Sequence, residues 1–363
     1  MSKSIIFIIP YPPGQAPSQR FRFEQYFPAL TRHGYTVSVF PFLNPNQSSI
    51  LYGQSNPLLK IAVTVTGLLR RCVHLWNARH ASFVFIHREA APVGPPVFEW
   101  ILARVLRKKI IFDFDDAIWL TDKQETWLER FFRWRSKVKH ICRWSYRISC
   151  GNAYLANWAG QFNASVVINP TTIDTENLHN PQIISLKKDP DKLFIGWTGS
   201  HSTLKYLEQL VPVLRQLEQE FQQVHFLVIA NRNPGLPLQR CSFIPWQKES
   251  EAEDLARIDI GLMPLPDDEW TRGKCGFKAL QYMAMQIPCI ASPVGVNSEI
   301  IQHGVNGFLA HSPPEWKFYL TQLIADGNLR NQLGKAGRKT VINRYSVSSN
   351  TPLFLSLFDI SHI

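Results

Sequence analysis

The stretch from Thr271 to Glu299, which reads TRGKCGFKALQYMAMQIPCIASPVGVNSE, constrains the fold more than any other part of the chain. Its first turn contains Gly273 and Gly276, where missing side chains let a bound anion approach the backbone closely. From Phe277 onwards, apolar residues recur at the spacing of one helical face. The turn is therefore predicted to lie at a helix N-terminus, where amide groups and the helix dipole favour an anion. The basic residues of this predicted phosphate-binding turn are Arg272, Lys274 and Lys278.

A second loop follows the same helix. Pro288 ends the helix, and the apolar run Cys289, Ile290, Ala291 is predicted to be a short buried strand. A glycine loop then opens at the carboxyl end of that strand, which is the edge of an open α/β sheet where ligands bind. The candidate binding residues here are Gly295, Val296, Asn297 and Glu299, with Gln281 one turn into the preceding helix.

Three motifs in this order, GKCGFKALQYMA, IPCIASPVGVNSEI and GVNGFLA, resemble the nucleotide-sugar-binding half of retaining glycosyltransferases of family 4, which have the GT-B fold. The resemblance implies an α/β protein with two Rossmann-like domains facing each other across a cleft. One departure concerns two glutamates that the family carries eight residues apart, where this chain has Gly273 and Gln281. An amide can still hydrogen-bond a ribose hydroxyl, but it is a weaker acceptor than a carboxylate.

The loop TGSHST, after a predicted strand at Leu193 to Trp197, is a second candidate anion site. Ser200, Ser202 and Thr203 are expected to cap the following helix. In the family an arginine and a lysine near this loop hold the donor diphosphate; Lys205 matches the lysine, whereas Trp197 or its neighbour occupies the arginine position. We expect Lys205 and Lys274 to act in catalysis, and the predicted donor contacts are Gly199, Ser200, Arg272, Gly276, Phe277, Lys278, Gln281, Gly295, Val296, Asn297 and Glu299.

The length of 363 residues favours two domains. The last predicted strand of the first half ends in NPTTID, which resembles the family's link between domains. The resemblance implies an acceptor-binding Rossmann-like domain over residues 1–174 and a donor-binding Rossmann-like domain over residues 175–344. The tail, residues 345–363, is expected to pack back on the first domain.

Candidate acceptor-side residues follow the predicted strands of the first half. Arg20 and Arg22 lie in a loop after the first strand, and they either contact donor or acceptor phosphate or are solvated surface charges. His87, Arg88 and Glu89 follow another strand, where three consecutive ionisable residues favour a site role. We expect His87 to orient or deprotonate the acceptor hydroxyl and Arg88 to contact acceptor or phosphate.

The segment DFDDAIW crowds Asp113, Asp115 and Asp116 together. Either these residues cap the next segment and meet solvent, or one of them faces the reacting sugar. The resemblance to family 4 places Asp115 where many relatives have a histidine. Asp115 is therefore a second candidate for orienting or deprotonating the acceptor hydroxyl, and Asp116 is a candidate contact to the acceptor or to phosphate. A D-x-D triplet can hold a divalent metal, but GT-B enzymes generally need none, so neither a metal nor another cofactor is expected.

The charge is uneven along the chain. Residues 1–175 contain 21 Lys and Arg against 10 Asp and Glu, whereas the remainder contains 18 of each. Within the basic half, Trp127 to Arg147 has apolar residues at helical spacing and seven basic residues against the single acid Glu129. The pattern predicts a helix lying on an anionic bilayer, or alternatively a helix that packs its aromatic stripe into the core. No nucleic-acid-binding module accompanies it, so nucleic acid is not an expected partner.

The six cysteines form no C-x-x-C pair, which favours free thiols in a reducing compartment. The apolar run from Ile5 to Ile9 is broken by Pro10, too short for a signal sequence, and no later stretch is long enough to span a bilayer. We expect a cytoplasmic protein, peripheral at the inner face of the cytoplasmic membrane.

These observations together predict a hexosyltransferase-type enzyme. It would move a sugar, with retention, from a nucleotide-diphosphate sugar to a hydroxyl of a glycan or lipid-linked acceptor in cell-envelope polysaccharide synthesis. Two alternatives share the fold: a nucleotide-sugar 2-epimerase and a non-catalytic protein that binds a sugar nucleotide.

Overall fold

A computed structural model describes residues 3–53, 56–121, 126–200 and 203–359. The chain divides into two compact units. The first comprises Met1–Thr171 together with Asn350–Ile363, and the second comprises Thr172–Ser349.

The first unit contains a six-stranded parallel sheet. Its strands are rich in β-branched and aromatic residues, and the first, third and fourth bury nearly every side chain, as central strands covered on both faces do. In chain order the strands are β1 (Lys3–Ile9), β2 (Tyr35–Pro41), β3 (Phe83–His87), β4 (Lys109–Phe114), β5 (Arg147–Cys150) and β6 (Val166–Ile168). Their order in the sheet is β2-β1-β3-β4-β5-β6.

Helices connect these strands. A 3-10 turn covers Glu24–Tyr26, and a π-helical turn covers Ile101–Val105. The α-helices are α1 (Pro17–Arg20), α2 (Phe27–Arg32), α3 (Gln47–Tyr52), α4 (Pro57–Ala78), α5 (Val97–Trp100), α6 (Trp127–Arg133), α7 (Lys137–Trp144) and α8 (Ala153–Gly160).

The second unit repeats the same plan with its own six-stranded parallel sheet, ordered β12-β11-β10-β7-β8-β9. The strands are β7 (Leu193–Gly199), β8 (Val224–Ala230), β9 (Cys241–Pro245), β10 (Ile260–Met263), β11 (Cys289–Ala291) and β12 (Phe308–Leu309). The helices are α9 (Leu204–Glu208), α10 (Val211–Glu220), α11 (Glu251–Ala256), α12 (Glu269–Arg272), α13 (Phe277–Ala284), α14 (Asn297–Ile300), α15 (Pro313–Ala325) and α16 (Gly327–Arg344).

The last helix, α17 (Val347–Ser356), brings the end of the chain to the first sheet. Phe354 stacks on Tyr26 with ring centroids 4.3 Å apart. The hydroxyl of Tyr35 donates to the carbonyl of Phe358 at 3.3 Å. Residues 350–359 thus form part of the core and edge of the first unit.

The basic aromatic segment 127–147 is not the single helix that its periodicity predicts. The first helix, α6, ends at Arg133, just before Trp134, which has a φ of 45°. A second helix, α7, begins at Lys137. Helix α7 buries Val138, Ile141 and Cys142. The single-helix prediction is therefore wrong, and core packing, the alternative interpretation, applies to α7. Helix α6 instead exposes aromatic rings, which are Trp127, Phe131 and Phe132.

Among the described residues, none of the helices is both long enough and apolar enough to cross a membrane.

Candidate active site

The candidate site of the second unit lies at the carboxyl edge of its sheet. Strands β7, β10 and β11 are adjacent and parallel, so the loops that follow them leave from the same edge. These loops begin after Gly199, Met263 and Ala291. They contain most of the donor-binding residues that the sequence predicts.

The turn before α13 packs against the loop after β11. Gly276 has a φ of 67°, the left-handed region that favours glycine, and precedes the first residue of α13. A Cβ at this position would lie 2.3 Å from Cδ1 of Ile300 and 3.1 Å from Cγ1 of Val296. Gly295, with a φ of 55°, approaches the turn from the other side, and a Cβ there would lie 2.7 Å from the carbonyl oxygen of Arg272. At Gly295 the two turns therefore meet backbone to backbone, and at Gly276 the left-handed conformation favours glycine.

Lys278 joins the loop after β7 to this arrangement. A Cβ on Gly199 would lie 2.9 Å from Cε of Lys278, and the Lys278 ammonium lies 5.5 Å from the ring centroid of Trp197. The lysine is in the first turn of α13, so its charge lies beside the amide end of that helix. Gly199, Gly276 and Lys278 are thus brought together, as expected for a site that binds a diphosphate.

The other predicted basic residues lie around this centre with partners of their own. Arg272 forms an ion pair with Asp267 at 2.6 Å. Lys274 lies over the ring of Trp270 at 4.6 Å from its centroid. Lys205 lies over Tyr206 at 5.2 Å. Sequence reasoning assigned the catalytic charges to Lys205 and Lys274, and the geometry adds Lys278, whose side chain lies beside Gly199 at the end of β7.

The predicted helix cap after β7 is not formed by Thr203. Helix α9 begins at Leu204, and Thr203 makes no side-chain capping bond to it. The Thr203 hydroxyl donates instead to the carbonyl of Ser200 at 3.0 Å, which closes the loop on itself. Ser202 lies outside the described residues.

Gln281 lies inside the second unit, with 3% of its surface exposed. Its Nε2 donates to Oε1 of Glu251 at 2.8 Å and lies 3.2 Å from Nε2 of His179. Sequence reasoning missed Glu251 and His179, because neither lies in a motif and both come from distant segments. The amide nitrogen thus binds protein groups, which leaves Oε1 as the atom that a ribose hydroxyl could reach.

The two predicted residues on α14 differ in environment. Asn297 is buried, donates from Nδ2 to the carbonyl of Ser292 at 2.9 Å, and has a buried Oδ1 with no hydrogen-bond partner. Such an orphaned acceptor beside Gly276 is the kind of atom that a bound ligand satisfies. Glu299 is exposed. Phe277 is the first residue of α13 and is half-buried.

In the first unit, Arg22, His87 and Asp113 form a buried network between β3, β4 and the loop after β1. Nδ1 of His87 lies 2.7 Å from Oδ2 of Asp113, Nε of Arg22 lies 3.3 Å from the same oxygen, and the hydroxyl of Ser149 donates to Oδ1 at 2.6 Å. Burial alone would raise the pKa of Asp113, but the charge of Arg22 and the hydrogen bond from His87 hold it well below its usual range.

The burial of both arginines rules out the alternative that they are solvated surface charges. Arg22 is fully buried, and Arg20 is 9% exposed with its guanidinium 4.8 Å from the ring centroid of Phe21. His87 is also fully buried, with no hydrogen-bond partner for Nε2. Arg22 and His87 are thus interior groups, whereas the sequence predicted both as ligand contacts.

Arg88, Asp115 and Asp116 lie at the same sheet edge and are partly exposed. Arg88 has a φ of 62°, a conformation uncommon for a side chain larger than glycine. It donates from Nε to Oδ1 of Asp115 at 3.0 Å and from Nη2 to Oδ2 of Asp116 at 2.8 Å. Burial would lower the pKa of Arg88, but the two carboxylates outweigh it and raise that pKa. No helix begins between residue 115 and residue 121, the end of this described range.

The described part of the chain holds no group of three or more His, Cys, Asp or Glu side chains arranged to bind a metal ion. The carboxylates of the D-x-D triplet are instead paired with Arg22 and Arg88.

Comparison with solved structures identifies the fold. A sucrose-phosphate synthase from Thermosynechococcus elongatus is similar, with a TM-score of 0.72, 15% identity and 98% of each chain covered. The HepE protein of Anabaena in complex with UDP and glucose has a TM-score of 0.66, 16% identity and 98% of each chain covered. A glycosyltransferase from Rickettsia africae has a TM-score of 0.69, 14% identity and the same coverage. These matches, with the two parallel sheets, confirm the predicted GT-B fold.

Comparison of sequences finds one similar family. Residues 190–326 match the family described as Glycosyl transferases group 1, which confirms the resemblance found in the motifs. No curated protein sequence matches the chain significantly. The matched region contains all three site loops, so the similarity to group 1 glycosyltransferases includes the candidate site.

Proposed function

We propose that the protein is a retaining glycosyltransferase. It moves a hexose from a nucleotide-diphosphate sugar to a hydroxyl of a glycan or lipid-linked acceptor in cell-envelope polysaccharide synthesis. The observation that carries the donor part of the proposal is the meeting of Gly199, Lys278 and Gly276 at one sheet edge. Retention of configuration and the polysaccharide role rest on the resemblance to family 4.

The chemistry of transfer requires stabilisation of a leaving diphosphate. As the bond between the sugar and the diphosphate breaks, negative charge accumulates on the phosphate oxygens. The amide end of α13 and the Lys278 ammonium supply positive potential at one point, and Gly199, Gly276 and Gly295 allow the phosphates to approach the backbone. Arg272, Lys274 and Lys205 add charge around that centre.

A uridine nucleotide is the first donor to test. HepE of Anabaena, which shares the fold, has been solved with UDP and with UDP-glucose. In our proposal Oδ1 of Asn297 and Oε1 of Gln281 accept hydrogen bonds from ribose or sugar hydroxyls, and Glu299 supplies an exposed acceptor.

The first unit is proposed to bind the acceptor through residues at the ends of β3 and β4. Asp115 and Asp116 are partly exposed and held in place by Arg88, whereas His87 is fully buried. The geometry therefore favours Asp115 over His87 as the group that orients the acceptor hydroxyl. The departing phosphate is proposed to take the proton, so neither a metal nor a protein nucleophile is needed.

Peripheral contact with an anionic membrane, expected from the segment 127–147, is proposed here for α6. Trp127, Phe131 and Phe132 are 74%, 60% and 57% exposed, and Arg133 lies on the same helix. Exposed aromatic and basic residues on one helix suit the interface of an anionic bilayer.

A non-catalytic sugar-nucleotide-binding protein is the second candidate. It is favoured by Gly273 and Gln281, which replace the family's two glutamates, and by the bond from Gln281 to Glu251. Release of a nucleoside diphosphate distinguishes the two candidates, because only a glycosyltransferase releases it in an acceptor-dependent way.

The test has two stages. Thermal unfolding is measured with UDP, GDP, ADP and CMP, because a ligand that binds the native state raises its apparent stability. Release of nucleoside diphosphate from the matching sugar donor is then measured with and without lipid-linked acceptors, in the presence of a chelator. Replacement of Lys274 by alanine is expected to weaken donor binding, whereas Lys339→Ala, on the exposed face of α16, is expected to leave it unchanged. Nucleotide binding without release under any acceptor would favour the non-catalytic candidate.

A further inference from the structure

Helix α4 carries an unpartnered apolar stripe along its outer face. Six large apolar residues recur there at steps of three or four residues. Between 48% and 72% of the surface of each residue is exposed to solvent. A step pattern of this kind places them on one side of the helix over about 27 Å of its length. The side chains are Leu58, Ile61, Val65, Leu69, Val73 and Trp76.

The opposite face of α4 is anchored in the first unit, so the stripe points away from the domain. The buried residues of the helix are Val63, Gly67, Arg71, His74 and Ala78. At Gly67 the helix comes so close that a Cβ would lie 2.4 Å from the ring of Phe42.

Arg71 fixes the rotation of the helix about its own axis. Its guanidinium donates to the carbonyl oxygens of Ala90 at 2.6 Å, Phe40 at 2.7 Å and Ile9 at 2.7 Å. Three bonds to the ends of neighbouring strands leave the helix no freedom to turn its stripe inward.

The charges around α4 are those of a surface that meets anions. The helix contains no acidic residue. The five acidic residues between 56 and 121 leave no isolated exposed carboxylate, because Glu99 and Asp113 are buried and the other three form ion pairs with Lys137 or Arg88. Arg79, one residue beyond the helix, lies 3.5 Å over the ring of Trp76 at the end of the stripe.

We infer that the α4 stripe is a docking surface for an anionic lipid bilayer, with the helix lying flat in the interface. An apolar stripe of this length with basic residues at its margins matches the pattern of an interfacial amphipathic helix. A second copy of the chain fits less well, because two such surfaces would bring like charges together. The inference extends the proposed membrane contact from α6 to α4, and it does not depend on glycosyl transfer.

The test is flotation of the full chain with lipid vesicles. Vesicles of phosphatidylcholine alone are compared with vesicles containing roughly 30 mol% phosphatidylglycerol, at low and high salt. The wild-type chain is expected to float with the anionic vesicles at low salt and to be released partly by high salt. The triple variant Ile61→Gln/Leu69→Gln/Trp76→Gln is expected to lose about tenfold or more in vesicle binding. Its matched control, Thr66→Gln/Asn77→Gln, changes exposed residues beside the stripe and is expected to bind like wild type.

Two further variants distinguish membrane binding by α4 from membrane binding by α6 and from binding that depends only on charge. Phe131→Gln/Phe132→Gln tests α6 alone, and a loss confined to that variant would remove α4 from the bilayer contact. Lys60→Gln/Arg79→Gln is expected to weaken binding and reduce its salt dependence. A wild-type dimer that the triple variant converts to a monomer, without a change in vesicle binding, would overturn the proposal in favour of self-association. Nucleotide binding measured without vesicles is expected to be the same in all variants. If no variant binds a nucleotide, that result contradicts the proposed function but does not affect the conclusion about bilayer binding.

Discussion

Arg22 and Asp113, which are 91 residues apart in the chain, form a fully buried ion pair at the centre of the first unit. The guanidinium also donates to the carbonyl of Asn169, so it ties the loop after β1 and strand β4 to the end of β6. The pair thus connects elements from three distant parts of the chain.

Removing one partner of this pair is expected to destabilise the first unit strongly. Asp113→Asn keeps the shape of the side chain but leaves Arg22 buried without a counter-charge, which costs about 3–5 kcal/mol. Urea denaturation is the measurement. The matched control, Asp189→Asn, removes the acid of an exposed pair with Lys192 and should keep a near-wild-type midpoint. Equal midpoints for the two variants would contradict the structural role of the buried pair.

Alanine at Gly276 is expected to disrupt the donor site. The substitution places a Cβ in a left-handed backbone conformation and 2.3 Å from Cδ1 of Ile300, so the turn and the Ile300 side chain must shift. Loss of nucleotide-induced thermal stabilisation is the expected readout. Gly304→Ala, with a φ of 76° and nothing within 4 Å of the new Cβ, introduces the backbone strain alone. That control should cost about 1 kcal/mol and retain nucleotide binding.

Lys278→Met is expected to weaken binding of a nucleoside diphosphate about 10- to 100-fold while the chain stays folded, because it removes the charge beside Gly199 and keeps much of the apolar stem. Titration calorimetry measures the change. Lys339→Met, an exposed substitution on α16, serves as the control for lost net charge. Similar affinities in these two variants would show that Lys278 does not contact the diphosphate.

Restoring a glutamate at position 281 is expected to harm the protein. Gln281→Glu replaces an amide donor with a carboxylate 2.8 Å from Glu251, so two acids compete for one buried site. We expect a loss of about 1–3 kcal/mol in stability at neutral pH, measured by thermal unfolding. The exchange Gln281→Glu/Glu251→Gln reverses the direction of the hydrogen bond and should recover most of that loss. A double variant no more stable than Gln281→Glu would count against a direct bond between the two side chains.

The stability of the first unit is expected to fall in mild acid through His74. Burial, followed by the charges of Arg71 and Arg70, lowers the pKa of this imidazole to about 4 from 6.5. The unfolded chain therefore binds a proton that the folded chain excludes between these pH values. The contribution of His74 is complete above pH 6.5 and is lost as the pH falls to about 4, with a size of at most about 3 kcal/mol. Denaturation of wild type and His74→Asn across this range should show a smaller pH slope for the variant; parallel slopes would assign the acid sensitivity to other groups.

The sequence predicted well those features that arise from local patterns. Apolar runs such as Ile5–Ile9 are found as buried parallel strands, because a strand covered on both faces must be apolar throughout. The glycine turns at Gly276 and Gly295 have positive φ values, which few other residues adopt readily. The order of these motifs was enough to identify the GT-B fold.

Local patterns failed where a side chain's environment depends on distant segments. The periodicity of residues 127–147 predicts one helix. In the structure the helix is interrupted at Trp134, and the apolar side chains of α7 pack in the core. Lys278 was one basic residue among three near Gly276, and its contact with Gly199 became visible only when β7 and α13 were placed together.

The sequence by itself determined the two Rossmann-like halves and the glycine turns at the edge of the second sheet, because backbone conformation and burial follow from neighbouring residues. Only the tertiary structure decided which charged residues are buried and which lie near the surface. Arg22 and Arg88 look alike in the sequence, yet one is paired inside with Asp113 and the other holds Asp115 and Asp116 near the surface. The physical reason is that a charge remains buried when the fold brings a counter-charge or hydrogen-bond acceptors to it, and for Arg22 that counter-charge lies 91 residues away.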